Sequence, residues 1–460
     1  ARAPPNRTPP TVNPTAHTGQ APAPPHRSAL GLVVLTVFID MVGFSIIFPL
    51  FPALLEHYLT LEGPQSAIGR LVEYLANLSG GEFAVVTLFG GLLGSVYSLL
   101  QFLFAPFWGS LSDRIGRRPT LLLTLTGTAL SYLMWVFAGS FRWLIAARLL
   151  GGMMAGNVST ASAVVADTSS ERERAKGMGL LGMGIGLGFV IGPALGGLAS
   201  LWNPLESFPE AAAFGLNPFS GAAAIALLLS GVNAIWAFRR LPETLPAKAG
   251  ASASDAHTSR RPLNPFGALK RLRFPGLLRT NCAWFLYLLA FSAMEFTLTF
   301  LAAERLSYEP GDIALLFVFI GLVIAGVQGG LVRRLAPRYG ERRLILVGLL
   351  LHLPAFAMLA RVNSSPGMYG ALFLMATGSA LLMPCLSALV SRYTPADRQG
   401  FSLGTFRSMG ALARALGPVL GGLAWWRLGS AAPYTNGAIF MLLPLALAFG
   451  LPPVPENQEE

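Results

Sequence analysis

Gly109-Ser-Leu-Ser-Asp-Arg-Ile-Gly-Arg-Arg-Pro119 is a polar island between two long apolar runs. Its four charges, Asp113, Arg114, Arg117 and Arg118, are too costly to hold in hydrocarbon, so the chain turns here at a membrane surface. A degraded copy lies further on, Arg333-Arg-Leu-Ala-Pro-Arg-Tyr-Gly-Glu-Arg-Arg343. Arg114, Gly116 and Arg118 meet Arg338, Gly340 and Arg342 there, each 224 positions later. A second pair of stretches agrees. Gly188-Phe-Val-Ile-Gly-Pro-Ala-Leu-Gly-Gly197 matches Ala413-Arg-Ala-Leu-Gly-Pro-Val-Leu-Gly-Gly422, with Pro193 and Pro418 separated by 225. Two independent motifs at one spacing point to duplicated halves, and duplicated halves in a polytopic membrane chain are a transporter signature.

Composition agrees with the membrane reading. Of 460 residues, 53% are hydrophobic and only 12% charged, with a mean hydropathy of +0.56. A water-soluble domain carries about 25% charged residues. Spans need about 20 apolar residues. Twelve segments qualify: about 29–55, 85–108, 120–138, 142–165, 177–200, 220–238, 278–302, 312–332, 344–361, 367–390, 402–424 and 435–452. The sixth has a Pro/Gly-rich approach, and the last is short with Pro444 inside. The expected fold class is therefore all-α, with twelve transmembrane helices in two pseudo-symmetric six-helix bundles. The expected divisions are a Pro-rich disordered tail (1–28), an N-terminal bundle (29–240), a linker (241–276), a C-terminal bundle (277–452) and a short C-terminal tail (453–460).

A net charge of +11 would suggest nucleic acid in a soluble chain, but its placement here argues otherwise. With the N-terminus inside, the tail and the even-numbered loops hold 25 of the 33 Lys and Arg residues. The opposite loops hold five (Arg70, Arg142, Arg305, Arg361, Arg427), and three lie within spans (Arg148, Arg407, Arg414). That asymmetry puts both termini in the cytoplasm and explains the high pI without a nucleic-acid partner. The first apolar run reads as an uncleaved span. The default location is a bacterial inner membrane; Asn77-Leu-Ser79 and Asn363-Ser-Ser365 would be outward glycosylation acceptors in a eukaryotic host. Cys282 and Cys385 fall in spans and suggest neither a disulfide framework nor a metal site. Ile68-Gly-Arg-Leu-Val-Glu-Tyr-Leu75, in the long outer loop, has helical spacing and reads either as a surface helix or as an idle loop.

Glycines 184, 186, 188, 192, 196 and 197 give the fifth span a face without side chains, and Pro193 is expected to bend it. The stripe reads as tight packing, as a seam on which one half rocks, or as both.

These stretches together resemble the major facilitator superfamily, over essentially 29–452. Gly109–Pro119 resembles that family's loop between spans two and three. Arg148-Leu-Leu-Gly-Gly-Met-Met-Ala-Gly156 resembles its fourth-span arginine motif, and Gly188–Gly197 the fifth-span motif of its antiporters. Ile39-Asp-Met-Val-Gly-Phe-Ser-Ile-Ile-Phe-Pro-Leu-Phe-Pro52 is similar to the first span of tetracycline/proton antiporters. Glu295-Phe-Thr-Leu-Thr-Phe-Leu301 and Gly404–Pro418 are similar to the animal tetracycline-transporter-like proteins, as are Val85–Pro106 and Asn157-Val-Ser159.

The resemblance implies a latch made of Gly109, Asp113, Arg114, Gly116, Arg117, Arg118 and Asp167. Asp113 is expected to face the start of span eleven, where a helix N-terminus favours a carboxylate. Arg117 is expected to pair with Asp167. In the second copy Pro337 stands where the aspartate belongs, so the latch is expected to be stronger in the N-terminal half. Spans one, four, seven and ten of the family line a central cavity, which would gather Asp40, Arg148 and Glu295 there. Charges at that depth need a partner, water or a task. Asp40 and Glu295 are the candidates for proton exchange, with Arg148 as their partner; a static ion pair is the alternative. Arg407 and Arg414, two turns apart on span eleven, share a face. Arg414 either meets an anionic substrate group or pairs with a carboxylate. Gln101, Asn157, Asn233 and Gln328 read as interhelical hydrogen bonds more readily than as substrate ligands. His352 reads as a satisfied core residue.

The implied function is proton-driven efflux of an amphipathic drug or organic anion by alternating access, as a monomer in the lipid bilayer. No cofactor and no metal are called for beyond the coupling proton. Uptake or facilitated diffusion of a metabolite is the alternative; a scaffold or sensor would have no use for Asp40, Arg148 and Asp113. A Walker loop, a cluster of metal ligands and a nucleophile elbow are all missing from the sequence, so an enzyme is not expected.

Overall fold

The computed structural model describes residues 27–78, 82–168, 171–244, 276–394 and 399–453. Most of the expected linker and both expected tails lie outside them. The described residues form helices and turns, with no strand among them. In the N-terminal half these are α1 Arg27–Ser45, α2 Phe51–Glu62, α3 Ala67–Leu78, α4 Glu82–Ile115, α5 Arg117–Val136, α6 Phe141–Met154, α7 Asn157–Thr168, α8 Glu171–Ala199, α9 Pro204–Ser207 and α10 Ser220–Arg240. The C-terminal half holds α11 Leu277–Leu306, α12 Pro310–Gly326, α13 Arg333–Tyr339, α14 Glu341–Ala360, α15 Ser365–Arg392, α16 Gln399–Leu428, α17 Ala432–Phe440 and α18 Leu442–Phe449.

Each of the twelve apolar segments falls on helix, though not always on one helix. The first is α1 and α2 joined through the 3-10 turn Phe48–Leu50, where Pro49 and Pro52 interrupt the ladder. The fourth is α6 and α7, broken at Ala155-Gly156. The eighth passes from α12 through a π-helical turn, Val327–Val332, into α13. Among the described residues, nine helices are long and apolar enough to cross a membrane, or ten if the bent pair Phe89–Ala105 and Phe107–Ile115 is one span. The fourth and eleventh segments fall below that measure. The fourth falls short in length, because the break at Ala155-Gly156 leaves helices of 14 and 12 residues; in the eleventh, Arg407 and Arg414 lower the hydropathy of a helix that packs against other helices.

The helices sort into two bundles, one from each half of the chain. In the first, α1 packs on α8, α7 and α10, and α5 on α10 and α6; in the second, α11 packs on α16 and α14 on α15. The groups meet along α4 with α16 and along α8 with α12. Outward sides of the bundles leave a belt of large apolar residues uncovered, including Leu228, Trp236, Phe238 and Leu322. In water such a belt would be a liability; in a bilayer it is the lipid contact. The outer segment at 68–75 is part of α3, which buries Ile68 and exposes Arg70, Glu73 and Tyr74. Cys282 and Cys385 are free thiols on α11 and α15.

The glycine stripe is an intrabundle device. A Cβ at Gly188 would lie 2.8 Å from Phe38 O on α1, at Gly192 2.6 Å from Val42 O, and at Gly184 3.1 Å from Val34 O; at Gly196 it would strike Ile46 O. Their four-residue spacing turns all four toward α1, so the stripe is a seam between α1 and α8. Ser45 Oγ crosses it, donating to Gly188 O at 3.1 Å. Only Gly197 of the motif faces the other half, against Pro310 and Ala314 of α12. The rocking-seam reading therefore does not describe Gly184, Gly188, Gly192 or Gly196. Pro193 sits within a continuous α8. The C-terminal half repeats the arrangement: Gly417 and Gly421 press α16 onto Ser292 and Ala293 of α11.

Candidate functional site

A small, partly open recess lies where the two halves meet. Its wall is Phe44, Phe48, Gly94, Ser98 and Phe189 from the first half, with Ser292, Glu295, Phe296, Arg414 and Pro418 from the second. Glu295 on α11 and Arg414 on α16 are its charged groups among the described residues. Arg414 Nη1 lies 4.0 Å from Glu295 Oε2, and its guanidinium carbon sits 3.6 Å from the Phe189 ring centroid on α8. An arginine flat on an aromatic face keeps its edge free for a planar anion. Phe51 with Phe296, and Gly90 beneath Phe300, pack the halves together beside this cavity. Seven residues before Arg414, Arg407 reaches the same helix α8, donating to Met178 O.

Asp40 and Arg148 are not on that wall. Asp40, on α1 and only 4% exposed, accepts from Asn157 Nδ2 at 2.9 Å, and Asn157 Oδ1 takes the Thr124 hydroxyl of α5. Arg148 lays its guanidinium 4.5 Å from the Tyr97 ring centroid and 5.7 Å from that of Phe44. Phe44, one turn beyond Asp40, fills the space between this polar cluster and the cavity. The expected single gathering of Asp40, Arg148 and Glu295 is thus two sites, and Arg148 makes no ion pair with either acid among the described residues. Asn157 and Asn233 act as interhelical hydrogen-bond groups, the latter with Thr36 Oγ1 at 3.0 Å. Gln101 and Gln328 are half-buried on α4 and in the π-helical turn, away from the cavity wall. His352 is satisfied: Nδ1 faces Gly348 O at 2.7 Å and Nε2 faces Ser379 Oγ at 3.1 Å.

The polar island is a turn between α4 and α5 organised by Gly116, whose φ of +107° lets the chain reverse. Arg117 is buried at the centre. Its Nε donates to Asp167 Oδ2 at the end of α7 (2.7 Å), and its Nη1 to Ser112 Oγ (2.8 Å) and to Asp113. Ser112 in turn donates to Gly109 O at 2.8 Å. Arg114 is exposed. Arg118 Nη2 donates to Phe238 O at the end of α10 (2.7 Å), where a cation suits the helix C-terminus. The described partner of Asp113 is Arg117; residues 395–398, just before α16, lie outside the described residues. Glu243, absent from the sequence reading, accepts from the backbone N–H of Arg117 at 2.9 Å and of Arg118 at 3.1 Å. It caps the start of α5 from just beyond the end of α10. Its signal was positional: a lone acid in Leu241-Pro-Glu-Thr244, just after a span that ends in two arginines.

The C-terminal half has a clasp too, with its polarity reversed. Glu341 stands 224 positions after Arg117, and Arg392 stands 225 after Asp167. Arg392 Nη1 donates to both carboxylate oxygens of Glu341 at 2.9 Å. Arg342, the counterpart of Arg118, donates to Phe449 O at the end of the last helix (2.5 Å). Pro337 does remove the counterpart of Asp113, yet the clasp is not confined to one half. Arg392 is half exposed, so this pair contributes about 1 kcal/mol. Glu341→Arg alone is expected to slow transport about fivefold, as that energy implies. Glu341→Arg with Arg392→Glu is expected to restore it to within about twofold, because the exchanged pair is the polarity of the other half. Rates in vesicles at matched protein content check this; a double exchange no better than the single would show the pairing is irrelevant.

Two helical bundles, duplicated motifs, a lipid-facing belt and a charged cavity between the halves define a polytopic membrane transporter rather than an enzyme. The sequence model of the Major Facilitator Superfamily matches residues 33–418 and again 331–460. The chain belongs to that superfamily, and it is an integral, multi-pass membrane protein. Major facilitator superfamily domain-containing protein 10 from Homo sapiens is 37% identical over 450 residues, covering 92% of this chain and 93% of the relative. Tetracycline resistance protein, class B, from Escherichia coli is 25% identical over 410 residues, covering 85% and 87%. Among solved structures, the crystal structure of the human organic anion transporter MFSD10 (TETRAN) aligns with a TM-score of 0.72 at 35% identity, covering 93% of this chain and all of that one.

Proposed function

We propose that this chain carries amphipathic organic ions across a cell membrane by alternating access, as a monomer with both termini in the cytoplasm and the proton as coupling ion. The observation that carries the reading is the Glu295–Arg414 pair inside an aromatic cavity at the junction of the two halves. Such a site offers charge to either sign of ligand and apolar area to its rings. Relatives named as tetracycline resistance proteins and as an organic anion transporter support drugs and organic anions as the substrate kinds. For drug-like cations the proposed sense is efflux against inward proton flow, as the antiporter-like α8 motif suggests. The test is flux of tetracycline and of an aromatic monocarboxylate into vesicles holding the purified chain. Rates at least about tenfold above protein-free vesicles are expected for one of them. Rates equal to protein-free vesicles for both would remove the reading.

A further inference from the structure

Resting on that transport reading, we propose that the Glu295–Arg414 pair sets the sign of coupling by the charge of the substrate: an organic anion travels with a proton, whereas an organic cation exchanges for one.

The cavity wall holds one cation and one carboxylate among the described residues. Arg414 Nη1 approaches Glu295 only to 4.0 Å and has no hydrogen-bond acceptor among the described residues. A planar anion at the guanidinium edge would gain two charge-assisted hydrogen bonds, with Phe189, Phe44, Phe48 and Phe296 covering the rest of the ligand. Glu295 then faces a second anion across one shared cation, in a pocket whose remaining polar side chains are Ser98 and Ser292. Two anions against one cation at low dielectric are strongly disfavoured, and a proton on Glu295 removes the conflict. Binding is reciprocal: a proton on Glu295 frees Arg414 for the anion by the same factor. Anion and proton therefore load on one face and unload on the other. A cationic substrate does the opposite. It needs ionised Glu295, so cation and proton compete and must cross in opposite directions.

Among the described residues, Glu295 has no second counter-ion. Of the described groups, Arg414 from α16 and Tyr287 on α11 itself are within electrostatic reach. Tyr287 donates to Ser379 on α15 at 2.9 Å. The 3-10 turn after α1 presents Phe48, α8 presents Phe189, and α4 presents Gly94 and Ser98. Arg148 lies 5.7 Å from the Phe44 ring on the other side of that residue, and Arg407 is held by Met178 O.

The experiment uses the full chain in vesicles with membrane potential clamped to zero and a pH gradient imposed. The probes are an aryl sulfonate and an aryl quaternary ammonium of the same skeleton, permanently charged so that neither leaks as a neutral species. From an acidic exterior, the sulfonate is expected to accumulate inside, by about tenfold per pH unit at one proton per anion. The ammonium is expected to be driven outward. Glu295→Gln is expected to keep sulfonate–sulfonate exchange, which shows that it is folded, and to lose accumulation. Arg414→Gln is expected to lose sulfonate flux and keep ammonium flux. Sulfonate driven outward, or accumulation unchanged in Glu295→Gln, overturns the proposal while leaving the transport reading intact. Transport of neither probe by the wild type overturns both.

Discussion

Gly192→Val is expected to leave almost no folded protein in the membrane. At this position a Cβ would strike Ser45 Oγ and lie 2.6 Å from Val42 O and 3.2 Å from Ile46 N. Val42 O and Ile46 N are backbone of α1 and of the turn just after it and cannot rotate away, so α1 itself must lift from α8. In lipid, no hydrophobic effect holds two helices together, because lipid tails are as apolar as side chains. The association rests on close van der Waals contact and on bonds such as Ser45 to Gly188 O, both of which need the helices at glycine distance. Overpacking of a tight core costs about 1–3 kcal/mol, occasionally more, and the rigid backbone contact puts this site at the upper end. Gly186→Val is the control, since a Cβ there meets nothing within 4 Å. The yield of monodisperse protein and its Tm are the readouts. Gly192→Val behaving like Gly186→Val would mean the α1–α8 seam tolerates separation.

Asp40→Asn, which removes a proposed relay for the proton that Glu295 takes up, is expected to lose gradient-driven accumulation by at least about tenfold while unforced substrate exchange stays within about threefold. Asp40 is buried on α1 with Asn157 as its hydrogen-bond partner, and no cation lies within ion-pair distance among the described residues. The nearest arginine, Arg148, faces Tyr97 instead. A carboxylate held by a neutral amide in a dry interior is fit to take up and release a proton, which a permanently paired one is not. Asparagine keeps the volume and the reach toward Asn157, so the fold should persist. Because Phe44 stands between Asp40 and the cavity, the loss should fall on coupling rather than on substrate affinity. An unchanged accumulation ratio in Asp40→Asn would leave Glu295 as the candidate proton carrier.

Local physics made much of this legible. A run of about 20 apolar residues is a property of the segment and the bilayer, so each expected segment falls on helix. The charged turn at 109–119 reads the same way, as do its copy at 333–343 and the Arg117–Asp167 pair implied by resemblance. The division of charges was less legible. Whether Arg148 meets Asp40 or Tyr97 depends on how α6 is rotated against α4 and α1, which spacing along one chain does not encode. The glycine stripe shows the same limit, since a four-residue period says that one face is smooth but not which neighbour lies on it.

The sequence by itself determined that this chain lives in a membrane, that its halves are duplicates, and which few charges need a reason to be buried. Burial of apolar length and exclusion of charge from hydrocarbon act residue by residue, so they can be read residue by residue. Only the tertiary structure decided the partners: Glu295 with Arg414 across two helices of one bundle, Phe189 beneath that arginine from the other bundle, and Asp40 shut behind Phe44. It also decided that Glu341 and Arg392 rebuild the Arg117–Asp167 clasp in reverse, because an ion pair is indifferent to which helix supplies which sign. Contacts of this kind are fixed by helix rotation and depth, which are settled when helices pack together.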